Sequence, residues 1–364
     1  MNFFSIINEF DNFSELKKTL KKKYNLQVKE KDNLYIVNIK KNKINENPDL
    51  NLCNGIILEK NTNKVVCNIY PVVKEYPDTY QYNDFSSVVV EEAIDGTLIK
   101  LFYYNNKWNV ATNRCIDASD AFWICNKSFY DLFMEAATKL NLNMDNLNKS
   151  YSYGFILQHP RSRNVKKYEV PNLVYVYSFD NVNNVQIVDN NLEGINVPKR
   201  YQFSTWEEMM SSITTLNYDI EGYIIYNNKK EITKVVNPTF KLVKEMKGNT
   251  PDMVYRCLVL YKLGKMESFL KYYPEYTQNF NYIKSFMYNL VNKFFMLYIT
   301  RYVKKQPLSV PPHYELILNH LHKDYLESNN DNMLLPKKKV TKKTIHAKLM
   351  GYSPLRIYSF FGSN

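Results

Sequence analysis

The sequence lacks any Cys-x-x-Cys pair. Its five cysteines, Cys53, Cys67, Cys115, Cys125 and Cys257, are scattered through apolar stretches. That spacing excludes a zinc-ribbon or disulfide framework and fits thiols of a reducing compartment. No run of 18 apolar residues occurs, which excludes a hydrophobic membrane-spanning helix. The opening segment MNFFSIINEFDNFSELKK has no basic leader and is interrupted by acids, so it does not read as a secretion signal. A soluble cytoplasmic protein with no membrane partner is expected. Glycine is scarce, at nine residues in 364, and no internal repeat is visible. Hydrophobic residues make up 45% of the chain, so a folded core is expected and disorder is not. The length favours two domains. Tyrosine, asparagine and lysine are abundant, a composition expected of an AT-rich genome such as that of a virus.

The net charge of +12 is unevenly placed. Residues 241–364 hold 20 Lys+Arg and 8 Asp+Glu, while the first 240 residues hold 28 of each. A positive field attracts polyanions, and each neutralised phosphate releases counterions. The densest block is Lys337, Lys338, Lys339, Lys342 and Lys343. Alone it reads equally as a solvated basic loop. A charge step that coincides with a change of structure makes RNA the expected partner of the C-terminal part.

From about residue 25 to 240 the pattern is mostly β. LYIVNI, GIILE, KVVCNIY, VVVEEAI, TLIKLFYY, KWNVAT, GFILQ, LVYVYSF, VQIVD and GYIIYN are short runs rich in Val, Ile and Tyr, separated by polar turns. Helices are expected near the N-terminus, over about Ser119–Leu140 and over about Trp206–Leu216. From Lys241 the texture changes to long stretches with apolar residues at helical spacing, punctuated by Pro274, Pro311 and Pro312. The Met and aromatic stripe of TQNFNYIKSFMYNLVNKFFMLYITRYV is expected to be core. The expected fold is α+β, with residues 1–245 as an antiparallel-sheet domain and 246–364 as a basic helical domain.

EEAIDGTLIKLFYYNNKWNVAT is the informative segment. Asp95-Gly96 between two strands is by itself a hairpin signal. Order and spacing add to it. Upstream stands CNGIILEKNTNKVVCNIYPVVKEY, with Lys74 and Tyr76 after its second strand. Downstream stand GFILQHPRSRNV, with Pro160, Arg163 and Val165, then EGYIIYN with Glu221-Gly222, then Lys234 in KVVNPTF. Together these five segments resemble the T-even phage-type ATP-dependent RNA ligases of the covalent nucleotidyltransferase superfamily. The resemblance covers roughly residues 30–245. It implies a nucleotidyltransferase (ATP-grasp-like ligase) domain with ATP and Mg²⁺ as cofactors. In that family a strand leads into Lys-x-Asp-Gly, and the lysine amine attacks the nucleotide α-phosphate to form a phosphoramidate. The resemblance places Ala93, Asp95, Gly96, Glu221 and Lys234 at the catalytic positions and Lys74, Tyr76 and Arg163 around the nucleotide. Glu221 is a candidate metal or ribose ligand. Lys234 is a candidate for phosphate neutralisation, and Tyr76 for stacking on a purine.

The sequence departs from the family where the chemistry is. Ala93 occupies the place of the lysine, and a methyl group cannot be a nucleophile. Asn54 stands where the family has an arginine, Asn113 where it has a lysine, Ile156 where it has a glutamate, and Val236 where it has the second lysine. Five changed positions favour natural degeneration over a single engineered change. His159, in QHPRSRN, reads mainly as a strand-end histidine, with phosphate contact or acid–base work as the alternative. The expected function is recognition of an RNA end or a nucleotide without covalent chemistry, with a protein partner in RNA processing possible. The rivals are an active RNA ligase whose lysine was replaced at position 93, and a scaffold subunit of an RNA-processing or transcription complex.

Overall fold

In the computed structural model the described residues are 3–40, 50, 53–68, 74–76, 85, 88–123, 125–183, 185–187, 191–226, 232–330 and 339–361. Two compact units divide the chain, Met1–Glu245 and Met246–Asn364.

The first unit is built on three sheets. A four-stranded antiparallel sheet runs in chain order through β1 (Leu26–Lys31), β2 (Leu34–Ile39), β3 (Ile56–Glu59) and β4 (Val65–Cys67). Helices α1 (Phe3–Ile7) and α2 (Phe13–Lys22) cover one of its faces. Leu16 and Leu20 of α2 pack there with Leu26, Tyr35 and Val37. Asn12 caps α2 by accepting from the Ser14 amide at 2.8 Å. The other face, through Ile36, Ile57 and Cys67, packs on the second sheet at Phe102 and Ala111.

The remaining strands of this unit are β5 (Lys74–Glu75), β6 (Val89–Ala93), β7 (Thr97–Tyr104), β8 (Lys107–Thr112), β9 (Tyr151–Gln158), β10 (Asn172–Asp180), β11 (Val185–Ile187), β12 (Arg200–Tyr201), β13 (Gly222–Tyr226) and β14 (Ile232–Val236). The second sheet has the order β11-β10-β9-β7-β8 and the third β12-β6-β13-β14-β5. All pairs are antiparallel except β5 with β14. Strict alternation along β7 and β9 explains the layering, because successive side chains point to opposite faces. Ile99, Leu101, Phe155 and Leu157 face helix α3 (Phe129–Lys139) with its Leu132, Phe133 and Ala136. A bulge between Tyr175 and Tyr177 on β10 changes which side chains face each way. Tyr175 joins the α3 core, while Tyr177 lies against Gly154, where a Cβ would meet the tyrosine ring at 1.9 Å. The third sheet is backed by helix α4 (Trp206–Thr215), whose Trp206, Met209 and Ile213 pack on Val90, Tyr223 and Ile225.

The helix expected from Ser119 begins ten residues later. Asp117 instead caps a single 3₁₀ turn over Ala118–Asp120, and the Ser128/Asp131 capping box starts α3.

The second unit is helical: α6 (Met253–Lys262), α7 (Met266–Leu270), α8 (Thr277–Tyr298), α9 (Pro312–Asn330), α10 (Lys342–Gly351) and α11 (Pro354–Tyr358), with α5 (Pro238–Lys247) leading into it. Gly264, at φ +67°, splits the first apolar stretch into α6 and α7. Phe280, Ile283, Met287, Leu290, Phe294 and Tyr298 of α8 are buried, so the Met and aromatic stripe is core. α8 runs on as a π-helical stretch over Ile299–Val303.

Gly222 opens β13 at φ +136°, and a Cβ there would meet the Val235 carbonyl oxygen at 2.1 Å. Gly222→Ala is expected to lower the unfolding free energy by on the order of 2–4 kcal/mol. The reading is a lower urea midpoint at unchanged slope.

Candidate functional site: a cleft between two sheets

Residues paired directly across antiparallel strands share a face. The pairs Glu91–Ile224, Ala93–Gly222, Ile224–Lys234 and Gly222–Val236 therefore put Glu91, Ala93, Ile224, Lys234 and Val236 on one face of the third sheet. Across from it stand Leu98 and Ile156, which pair with each other on the second sheet, and the bulge residue Val176. Side chains of both sheets enclose a cavity of about 160 Å³, lined by Glu91, Glu92, Ile94, Leu98, Ile156, Val176, Pro198, Ile224, Tyr226 and Lys234. Its walls are aliphatic and its charged groups are few.

Of the predicted catalytic positions, Lys234 lines this cavity, and Ala93 shares its sheet face. Ala93 ends β6, opposite Gly222, and is 1% exposed. Glu221 precedes Gly222 and is 6% exposed. Its Oε1 sits 2.7 Å from Lys234 Nζ and 3.1 Å from Lys244 Nζ. Lys244 comes from α5, so two ammonium groups share one buried carboxylate. Among the described residues no group of three or more His, Cys, Asp or Glu side chains could hold a metal ion. In this structure Glu221 is the shared ion-pair partner of Lys234 and Lys244.

Asp95 is a structural clamp. It is 4% exposed, and its Oδ2 accepts from the amides of Val165 at 3.0 Å and Lys166 at 2.9 Å. Its Oδ1 accepts from Asn164 Nδ2 at 3.2 Å. Its carbonyl accepts from the Tyr168 hydroxyl at 2.8 Å and from Gln158 Nε2 at 3.3 Å. Burial raises the Tyr168 phenol well above its ordinary range, so it stays a donor. Gly96, at φ +154°, follows. A Cβ there would meet Ile156 Cγ2 at 2.5 Å and the Leu157 carbonyl oxygen at 2.6 Å. The Asp-Gly pair fastens β6 and β7 to the loop after β9.

The predicted nucleotide contacts fare differently. Tyr76 packs on Trp206, ring centroids 4.8 Å apart, within the core under α4 on the far side of the third sheet. That position suits packing and does not present its ring to the cavity. Arg163 is 8% exposed, and its Nε donates to the Val165 carbonyl at 2.9 Å, bracing the loop that Asp95 holds. The backbone of Lys74 pairs with Thr233 at the edge of the third sheet.

The positions where the resemblance implies other residues do structural work here. Asn54 Oδ1 accepts from the Ile39 amide at 3.1 Å. The Asn113 side chain lies where a Cβ on Gly55 would be, and its carbonyl accepts from Asn38 Nδ2 at 2.7 Å. Ile156 lines the cavity, and Val236 pairs with Gly222. Lys100 is fully buried and donates to the Gly55 carbonyl; burial holds its ammonium below the ordinary lysine range. These groups cannot supply charge to a ligand.

Of the C-terminal basic block, Lys337 and Lys338 lie outside the described residues. Lys339 is exposed, and Lys342 and Lys343 form the first turn of α10, capped by Thr341. Lys342 Nζ stands 5.8 Å from the Phe295 ring centroid.

Sequence reasoning missed Lys244, Glu91 with its partner Arg200 (Nε to Oε1, 3.0 Å), and Asn164. Lys244 carried no motif signal, because the turn between β14 and α5 alone brings it to Glu221. His159 is 3% exposed and caps the 3₁₀ turn Pro160–Ser162, its Nδ1 accepting from the Arg161 amide at 3.1 Å. That fixes the proton on Nε2, 3.1 Å from Glu135 Oε2. Burial lowers the imidazole pKa, against the opposing pull of Glu135. The folded state then binds fewer protons than the unfolded one. Stability is full above the unfolded value of about 6.5 and falls as the pH drops towards the lower folded value. Chemical denaturation between pH 7 and pH 5 should show that fall, and His159→Gln should flatten it.

No protein-family profile matches the chain. The chain is similar to the immediate-early protein ICP-46 homolog of Invertebrate iridescent virus 6, 25% identical over 280 residues, covering 69% of this chain and 58% of that protein. A shorter stretch is 33% identical over 94 residues to the RNA ligase of Rhodothermus phage RM378, covering 23% of this chain and 21% of that protein. Among solved structures, an archaeal ATP-dependent RNA ligase aligns with a TM-score of 0.44 at 13% identity, over 74% of this chain and 71% of that chain. The chain therefore spans less than two thirds of the length of the curated relatives it matches. These sequence relatives are viral proteins, and one of them is named as an RNA ligase.

Proposed function

We propose that this is an RNA ligase-like protein of nucleotidyltransferase type that recognises an RNA end or a nucleotide and forms no covalent nucleotidyl intermediate. The observation that carries the reading is Ala93. It stands opposite Gly222, beside the Glu221–Lys234 pair, at the end of the strand that leads into Asp95-Gly96. A methyl group there has no lone pair to attack a phosphorus atom. Lys234, the lysine that lines the cavity, has its ammonium on Glu221 and is a poor nucleophile while so held. In this reading residues 1–245 are the ligase-like domain and 246–364 a basic helical domain that grips RNA, in the cytoplasm of a virus-infected cell.

The second reading is an active ligase that has lost only residue 93, favoured by the surviving Glu221–Lys234 pair. Incubation with α-labelled ATP and Mg²⁺ or Mn²⁺ separates the two. We expect no protein–AMP adduct from the native chain and none from Ala93→Lys. A labelled native chain would overturn the proposal, and a labelled Ala93→Lys chain that also joins strands would establish the second reading. For RNA, binding should weaken steeply between about 50 and 200 mM salt. Reversing Lys339, Lys342 and Lys343 to Glu together should reduce the salt slope by about two to three. Salt-independent binding would count against a phosphate-gripping C-terminal domain.

A further inference from the structure

Resting on the reading of the helical unit as the part that grips RNA, we infer that its contact is the outer face of α8 and that this face takes single-stranded RNA, with bases stacked on Tyr288 and Phe295 between lysines of α8 and α10. Three observations carry the inference. The first is the helix itself. At 3.6 residues per turn, Lys284, Tyr288, Asn292 and Phe295 fall on one face. The opposite face, with Phe280, Ile283, Met287, Leu290, Phe294 and Tyr298, is buried. The outer face is at the surface: Tyr288 is 65% exposed, its neighbour in the stripe Met296 is 59% exposed, and Phe295 is half-buried. Among the described residues Tyr288 is the most exposed aromatic side chain. From Lys284 to Phe295 the face runs about 16 Å along the helix axis.

The second is charge. Residues 277–305 hold five basic side chains and no acidic one, and residues 339–351 hold four and none. The carboxylates of α9 are already taken: Glu315 pairs with Arg301, Asp324 with Lys348 and Glu327 with Lys323. That leaves Lys284, Lys304, Lys305, Lys342 and Lys343 exposed beside α9 without its acids. Lys284 stands one turn before Tyr288. Lys342 Nζ, 5.8 Å from the Phe295 ring centroid, brings the start of α10 to the other end of the aromatic line. Rings interleaved with unpaired ammonium groups match a chain that alternates bases with phosphates.

The third is a local cost. Lys342 and Lys343 occupy the first turn of α10, where the positive end of the helix macrodipole opposes them, and no acid in that turn relieves it. An exposed aromatic line and a basic helix start each break a local rule, and they meet at Lys342 and Phe295. Such breaks concentrate at functional sites. A phosphate backbone at the helix start answers one of them, and an unstacked base over the rings answers the other. A duplex supplies the phosphates, but its bases are already stacked on one another, so the face fits a single strand.

Fluorescence anisotropy with the full chain tests this, using a labelled oligoadenylate of about 12 nucleotides, its duplex with oligouridylate, and an abasic strand with the same number of phosphates. The oligoadenylate should bind about tenfold more tightly than either of the others. Tyr288→Ala, at a side chain mostly in solvent, should weaken the single strand about tenfold, leave its salt slope and the duplex affinity unchanged, and be rescued by Tyr288→Trp. Lys343→Gln should instead lower the salt slope by about 0.7. Unchanged affinity in Tyr288→Ala, or duplex and abasic strand bound as tightly as the oligoadenylate, would overturn the inference while salt-sensitive binding left the RNA-gripping reading in place. No binding of any of the three would overturn both. Self-association in sedimentation that Tyr288→Ala abolishes would assign the face to a second copy of the chain and would also overturn the inference.

Discussion

The cleft depends on one buried carboxylate. Asp95 is taken out of water where β6 ends and β7 begins, and an uncompensated charge there would be costly. Three donors from a single loop, the amides of Val165 and Lys166 and the amide group of Asn164, compensate it. The same interaction joins the third sheet to the second, because β6 belongs to one and β7 to the other. Gly96 permits the close approach to Ile156 and Leu157 that this junction requires. Arg163 and Tyr168 then brace the loop from either side of the contact. The two walls of the cavity are held at their spacing by a structural bond, independent of any ligand.

A second buried carboxylate meets a different fate. Glu221 is neutralised by Lys234 and Lys244, both of which reach it with their ammonium groups. A buried charge of this kind persists only with partners. The charged groups of this corner are satisfied by one another. Asn54 shows the same pattern, its Oδ1 accepting from the Ile39 amide of the first sheet, while the backbone carbonyl of Asn113 accepts from Asn38 Nδ2.

Much of the fold was legible in advance. The short apolar runs TLIKLFYY and KWNVAT located β7 and β8 to the residue, because both faces of these strands are buried between the first sheet and α3 and a polar turn separates them. The helical texture after Lys241 and the core role of the α8 stripe followed from spacing as well. The start of α3 was not legible, because Asp117 and Ser128 are both good caps and the chain uses them for separate elements. The place of Tyr76 was not legible for a related reason: an aromatic beside such a motif looks the same in sequence whether it faces the cavity or the Trp206 core.

The sequence by itself determined the succession of strands along the chain, the alanine at position 93 before Asp95-Gly96, and the segregation of positive charge into the last third of the chain. These are properties of residue identity and local spacing. Only the tertiary structure decided which charges remain available. Whether Lys234 could meet a phosphate depends on Glu221 thirteen residues before it, and whether Glu221 could meet a metal depends on Lys244 arriving from a helix. Charge compensation acts through space at about 3 Å, between atoms whose proximity is set by strand register and a turn. No reading of consecutive residues contains that distance.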